Sequence, residues 1–321
     1  MNVKLFFTEP HRAPVTRELT FLPPARIFLR PMNSMSDQFT YGPWLAEYRP
    51  GDGGRLSRLS YGGFDLLTAE PSRFVPPAAD LGQYERRPVF GYDDCFPSVG
   101  ACRYPGTGIS VPDHGELCWL GWDVDQRPAN LAFSVRSRTL PLLFMRSLAF
   151  SDSAITWNFE VRNEGNDPLP FQHVMHPLFR PEEITDIEIP GFASAFDWER
   201  GLTLEGLGQS GVRDLLLTCA PRSTAMLFLR NVETGEIGCT FRDSLRLRMK
   251  FPVKKFPTIG IWWNNRGYPD EEGLRRSECA FEPTPGMTSN LAREAASGSC
   301  LSVEPRGRLT WRVGWEMETA T

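Results

Sequence analysis

Proline and glycine together fill 56 of the chain's 321 positions, 28 each, and they recur along its whole length. Proline lacks the amide donor a helix interior needs, and glycine loses the most backbone freedom when ordered. Few uninterrupted stretches are left for stable helices. The spacing excludes a helical bundle or coiled coil and predicts many short strands joined by turns.

The strand signals agree with that expectation. Ile155, Trp157, Phe159 and Val161 alternate with Thr156, Asn158 and Glu160, the period of a half-buried strand. Leu309, Trp311, Val313, Trp315 and Met317 alternate with polar residues in the same way. Ala225–Leu229, Leu245–Phe251 and Thr258–Trp263 also read as strands. Around Gly62-Gly63, Arg55–Leu59 and Phe64–Leu67 form a hairpin pattern, since paired glycines accept the positive φ of a tight turn. Helix signals are poor, and the best is Asn290–Ala296, with Ser289 or Asn290 as its cap and Gly298 near its end. The long segment from Pro71 to Pro112 is rich in proline, glycine and aromatics, and a loop of that length in a compact domain is more often functional than idle.

No repeat or linker divides the chain, so 1–321 reads as one large antiparallel β domain, with 1–45 as an N-terminal extension or edge strands. Such a chain is long enough to bury a core between two sheets. Thirty-five basic against thirty-nine acidic residues give a net charge of −4, and no lysine-rich run marks a nucleic-acid partner. The best apolar stretch, Leu140–Phe150, is interrupted by Arg146 and is too short for a membrane span. Met1–Pro14 has no apolar core of signal-peptide length. The seven cysteines (95, 102, 118, 219, 239, 279 and 300) contain no Cys-x-x-Cys pair and read as reduced thiols of a cytoplasmic protein.

With four histidines in the chain, histidine chemistry has few candidates. His173 and His176 lie three apart, but Pro168, Pro170 and Pro177 oppose a helix, and Pro177 pushes His176 into extended backbone. Residues three apart on a strand face opposite sides, so the two do not act as a pair. That weighs against zinc held by His114, His173, His176 and Glu282, and no cofactor is expected. His114 stands in Asp113-His114-Gly115, followed by Trp119 and Trp122, flat surfaces of the kind sugar rings pack on. By alternation Glu278, Ala280 and Glu282 share one strand face, with Cys279 and Phe281 on the other. Gly206-Leu-Gly-Gln-Ser-Gly211 matches a dinucleotide-loop spacing, but Val212–Cys219 reads as a strand where that site needs a helix.

Taken in order, Asp113-His114-Gly115…Trp122, His176-Pro177-Leu178-Phe179 and Phe281-Glu282-Pro283 resemble the aldose 1-epimerase (galactose mutarotase-like) superfamily. Gly53-Gly54-Arg55…Gly63-Phe64-Asp65-Leu66-Leu67 is similar to that family's opening hairpin, and Asp94-Cys95-Phe96-Pro97 to its proline-containing loop beside the pocket. The resemblance runs from about residue 50 to the C-terminus. It implies an all-β fold, the β-supersandwich, and interconversion of the α and β anomers of a hexose or hexose derivative. It further implies Glu282 as base, His176 as acid and His114 as the group that binds the ring oxygen. Asp214, Asp94, Trp122 and Arg180 are the substrate-binding residues expected with them. The chain departs from the family where an arginine would stand, at Cys118, and where Leu178-Phe179-Arg180 replaces an aromatic residue followed by asparagine. Arg103 and Arg180 are candidates for a replacement cation, between which the sequence does not choose. A catalytically silent carbohydrate-binding protein is the alternative, and a monosaccharide is the expected partner in either case. Edge strands of such a sandwich allow pairing between copies as a homodimer.

Overall fold

The structure, a computed structural model, describes residues 36–72, 84–270 and 273–319. His11, most of the expected extension 1–45 and part of the Pro71–Pro112 segment lie outside the described residues. The described part of 1–45 contributes strand Asp37–Tyr41, at the edge of a sheet, and the start of Trp44–Arg49.

Three antiparallel sheets carry the fold. The broadest has eight strands in the order Ile184–Glu188, Glu236–Phe241, Leu245–Lys250, Arg308–Thr319, Ala154–Asn163, Leu142–Phe150, Asn130–Arg136 and Asp123–Arg127. Its inner face is the alternation legible in the sequence: Ile155, Trp157, Phe159 and Val161 are buried, and so are Trp311, Val313, Trp315 and Met317. A second sheet runs Asp37–Tyr41, Trp44–Arg49, Arg55–Tyr61, Tyr92–Cys95 and Val174–Pro177, with Phe64–Asp65 beside Arg55–Tyr61. The third runs Leu202–Thr203, Phe192–Asp197, Ser223–Val232, Thr258–Asn265 and Ser277–Thr284. Aromatic contacts join the layers: Tyr92 meets Trp157 with ring centroids 4.6 Å apart, Tyr48 meets Phe133 at 5.4 Å, and Phe179 meets Trp315 at 5.7 Å. The fold is the expected all-β supersandwich.

The local signals fold as the sequence dictates. Tyr61 pairs with Phe64 across Gly62 and Gly63, both at positive φ. Helix Leu291–Ser297 starts at Asn290, whose side chain accepts the Arg293 amide, and stops at Gly298 in the left-handed region.

One segment differs. The expected strand 212–219 is helix Gln209–Leu217. Val212 and Leu216, four apart, are its buried residues, and it packs on strand Ile184–Glu188. A short apolar run fits either period, and here the docking partner selects the helical one. A helix therefore does follow Gly206 and Gly208, yet Gly211 lies inside it and strand Ser223–Val232 pairs antiparallel on both sides. A dinucleotide crossover needs a parallel neighbour there.

All seven cysteines are free, and no helix among the described residues is long and apolar enough to cross a membrane.

Candidate active site

The site begins with strand register. Strands Tyr92–Cys95 and Val174–Pro177 pair so that His176 stands opposite Asp93 and Met175 opposite Asp94. Consecutive residues face opposite sides of a sheet, so Asp93 and His176 share one face and Asp94 takes the other. His173 joins Asp94 there, with Nε2 2.9 Å from its carboxylate, among Phe144, Phe159 and Trp311. Arg146, inward on the broad sheet, closes the cluster through a buried ion pair to Asp94. The expected separation of His173 from His176 is what the register produces.

Strand Ser277–Thr284 brings the carboxylate. Glu278 and Glu282 line the same cleft while Phe281 packs against Phe179, as alternation requires. The two sheets are stitched at Phe179: its amide donates to the Cys279 carbonyl at 2.7 Å, and the Cys279 amide returns the bond at 2.9 Å. That join sets His176, three residues earlier, against Glu282, three residues later. Nε2 of His176 lies 3.7 Å from Oε1 of Glu282. Across the strand pair from Glu282 is Gly260, where a Cβ would come within 3.2 Å of the carboxylate.

His114 arrives on a turn. Both His114 and Gly115 have positive φ, 60° and 73°, and a Cβ on Gly115 would stand 1.9 Å from the Phe96 carbonyl oxygen. Only glycine lets the backbone pass that closely. The His114 ring stacks on Tyr84 with centroids 3.8 Å apart, its Nδ1 is 2.9 Å from Asp113, and its centroid lies 5.0 Å from that of His176.

Asp93 organises the floor. His176 Nδ1 is 3.1 Å from Asp93 Oδ1, and the Tyr84 hydroxyl donates to Oδ2 at 2.9 Å. Arg55 and Arg87 approach the same carboxylate at 3.6 and 3.4 Å. Burial opposes ionisation of Asp93, but the bond to His176 and the two guanidiniums outweigh it and hold Asp93 well below the usual carboxylate range. For His176, burial acts downward, while the bond to Asp93 and the charges of Asp93 and Glu282 win and raise it. Glu282 is raised by burial, against the opposing pull of His176 and His114.

The cleft has a volume of about 350 Å³. Trp198 and Tyr268 stand at it 43% and 40% exposed, among the few large apolar side chains left open among the described residues, with Trp262 and Phe228 alongside. Arg276 is bound by Glu85 at 2.9 Å and by Glu278 at 3.0 Å. A larger groove of about 530 Å³ crosses the broad sheet past Ser134, Met145, Ser147 and Asn158, and no histidine lines it.

Of the expected site residues, His176, Glu282 and His114 converge, and four others do not line the cleft. Asp94 is spent on Arg146 and His173 in the core. Trp122 is buried, donating Nε1 to the Leu117 carbonyl. Arg180 donates to the Asp65 carbonyl and lies over Phe64. Asp214 is two-thirds exposed on helix Gln209–Leu217, paired with Arg213. Arg103 caps the Gly108 carbonyl instead of replacing the missing arginine, and the cation beside Cys118 is Arg87. The sequence reading missed Asp93, Tyr84, Trp198 and Tyr268. For Asp93 a signal existed: of two adjacent acids on one strand, each must face a different side.

No protein-family model matches the chain, and no curated protein matches it in sequence. Solved structures do. The Slr1438 protein of Synechocystis sp. PCC 6803 superposes with a TM-score of 0.70 at 17% identity, covering 92% of this chain and 99% of its own. The galactose mutarotase related enzyme of Lactobacillus acidophilus gives 0.63 at 12%, covering 89% and 98%. A galactose mutarotase-like protein of Clostridium acetobutylicum gives 0.64 at 13%, covering 88% and 94%. The fold is that of the galactose mutarotase-like superfamily. At these identities the likeness establishes the fold alone, and any chemistry has to be argued from the cleft itself.

Proposed function

We propose that the chain is an aldose 1-epimerase acting on a neutral hexose. The observation that carries this reading is the His176–Glu282 pair, 3.7 Å apart on the wall of an aromatic cleft. Anomer exchange requires proton transfer at two oxygens bonded to one carbon, so the two groups that serve them must be close neighbours. Glu282 takes the proton from the anomeric hydroxyl, and Nε2 of His176 gives one to the ring oxygen. The ring opens, the C1–C2 bond rotates, and closure runs with the roles exchanged. Asp93 receives Nδ1–H, which leaves Nε2–H facing the sugar. His114 borders the same space and contacts the ring oxygen.

Charge supports a neutral substrate. Glu85, Asp113, Glu199, Glu278 and Glu282 line the cleft, and Arg276, its one arginine among the described residues, is already bound by two of them. That field opposes a phosphate or uronate. A second reading, sugar binding without turnover, draws on Cys118, which stands where the family has an arginine. Seven free thiols suit a reducing, cytoplasmic setting, and the Asp37–Tyr41 edge offers a surface for a homodimer. We read the described residues as one domain.

The test is polarimetry of freshly dissolved α-glucose and α-galactose. Acceleration by the wild type, lost in Glu282→Gln and His176→Gln, is the expected result. A sugar bound without acceleration favours the second reading, and neither effect across a panel of aldoses removes both.

A further inference from the structure

Cys95 follows Asp93 by two residues on the same strand, so its side chain emerges on the face that carries His176. Its thiol sulfur and one ring nitrogen each of His114 and His176 all lie within 4.8 Å of one another. Both histidines have Nδ1 at an aspartate, Asp113 at 2.9 Å and Asp93 at 3.1 Å, which leaves Nε2 of each ring free. A carboxylate behind the imidazole is the arrangement that orients histidine toward a bound metal. A fourth donor is at hand, since Oε1 of Glu282 is 3.7 Å from Nε2 of His176. His173 faces away on Asp94, and Cys95 stands in its place beside the two cleft histidines.

We propose that Cys95, His114 and His176, completed by Glu282, form a binding site for Zn²⁺ that is mutually exclusive with sugar. Tetrahedral zinc sets sulfur and nitrogen donors about 3.6 Å apart, so the cluster closes by about 1 Å on binding. Thiolate and imidazole select a zinc-class cation over Mg²⁺ or Ca²⁺. On binding, the thiol proton of Cys95 and the Nε2 proton of His176 leave to solvent, and no electron is transferred. Because the metal takes both proton-transfer groups, zinc occupancy blocks any reaction that uses them.

The experiment is calorimetric titration of the metal-free, full-length protein with Zn²⁺, and with Mg²⁺ in parallel, followed by Co²⁺ absorption spectroscopy. One zinc per chain, no magnesium, and a thiolate-to-cobalt charge-transfer band in the near ultraviolet are expected. Cys95→Ala removes the band and weakens zinc by at least about 100-fold, and Asp93→Asn weakens it about 10–100-fold. Cys219→Ser, outside the cluster, changes neither. Circular dichroism and the Tm of each variant separate lost ligation from lost folding, and the wild-type cobalt spectrum needs no variant. Absence of stoichiometric zinc, a cobalt spectrum without the thiolate band, or tight zinc in a folded Cys95→Ala protein overturns the site. Since the readout is metal and not turnover, its failure leaves the epimerase reading untouched, and a failed mutarotation assay leaves the zinc site untouched.

Discussion

Asp93 stands directly opposite His176 on the neighbouring strand and accepts its Nδ1–H at 3.1 Å, so the bond is built from strand register. The carboxylate is held ionised by Arg55 and Arg87, and Tyr84 occupies its other oxygen. The consequence is a histidine with one usable nitrogen, aimed at Glu282.

Asp93→Asn tests that relationship. The amide removes the charge that raises His176, so the histidine loses its proton at lower pH. Turnover should fall by about 10–100-fold, with the alkaline limb of the rate profile displaced toward acid. A purely structural role for Asp93 would lower the amount of folded enzyme and leave the limb where it was. Mutarotation rates measured across pH, with folding followed by circular dichroism, distinguish the two.

On the epimerase reading, the wild-type profile has a defined expected shape. Turnover in the forward direction needs Glu282 ionised and His176 protonated. Burial raises Glu282 above its ordinary value of 4.5, so the acid limb lies above that pH. Asp93 and Glu282 raise His176 above 6.5, so the alkaline limb lies above that one. Activity is expected between the two limbs, in a bell. Glu282→Gln should abolish activity at every pH, and an acid limb at or below pH 4.5 would exclude Glu282 as the base.

What the sequence disclosed was local. The opposed faces of His173 and His176, the shared face of Glu278 and Glu282, and the Asn290 cap each follow from a period or a cap within a few residues. What it withheld depends on partners far away in the chain. Asp94 is beside the loop motif, yet it serves the core because Arg146 waits on that face. Asp214 looks like a pocket acid only if 212–219 is a strand, and docking on Ile184–Glu188 makes it a helix with Asp214 outward. Cys118 hides a different kind of loss: Arg87, thirty-one residues earlier, stands beside it, but tied to Asp52 and Asp93.

Gly115 is a position where a single methyl does heavy damage. Its φ of 73° disfavours any side chain, and the Phe96 carbonyl occupies the place a Cβ would take. Gly115→Ala should destabilise the protein by about 2 kcal/mol or more, from the strained φ and the displaced carbonyl together. Urea unfolding measures it, and an unchanged midpoint would mean that the turn adapts freely.

Trp198 and Tyr268 supply the last prediction. Both remain open at the cleft, and on the epimerase reading their flat apolar faces would pack on the C–H side of a pyranose while its hydroxyls stay wet. Neither touches the proton-transfer pair, so Trp198→Ala and Tyr268→Ala should act on binding of ground and transition states alike. KM is expected to rise by about 3–10-fold for each, with kcat nearly constant, which corresponds to the ~0.5–1.5 kcal/mol typical of an aromatic contact. Steady-state kinetics in both anomeric directions provide the check. A fall in kcat at constant KM in Tyr268→Ala would instead assign that ring to holding Arg276 and Trp262 in place, since Arg276 lies over it, Trp262 meets it edge-on at 6.0 Å, and both donate to Glu278.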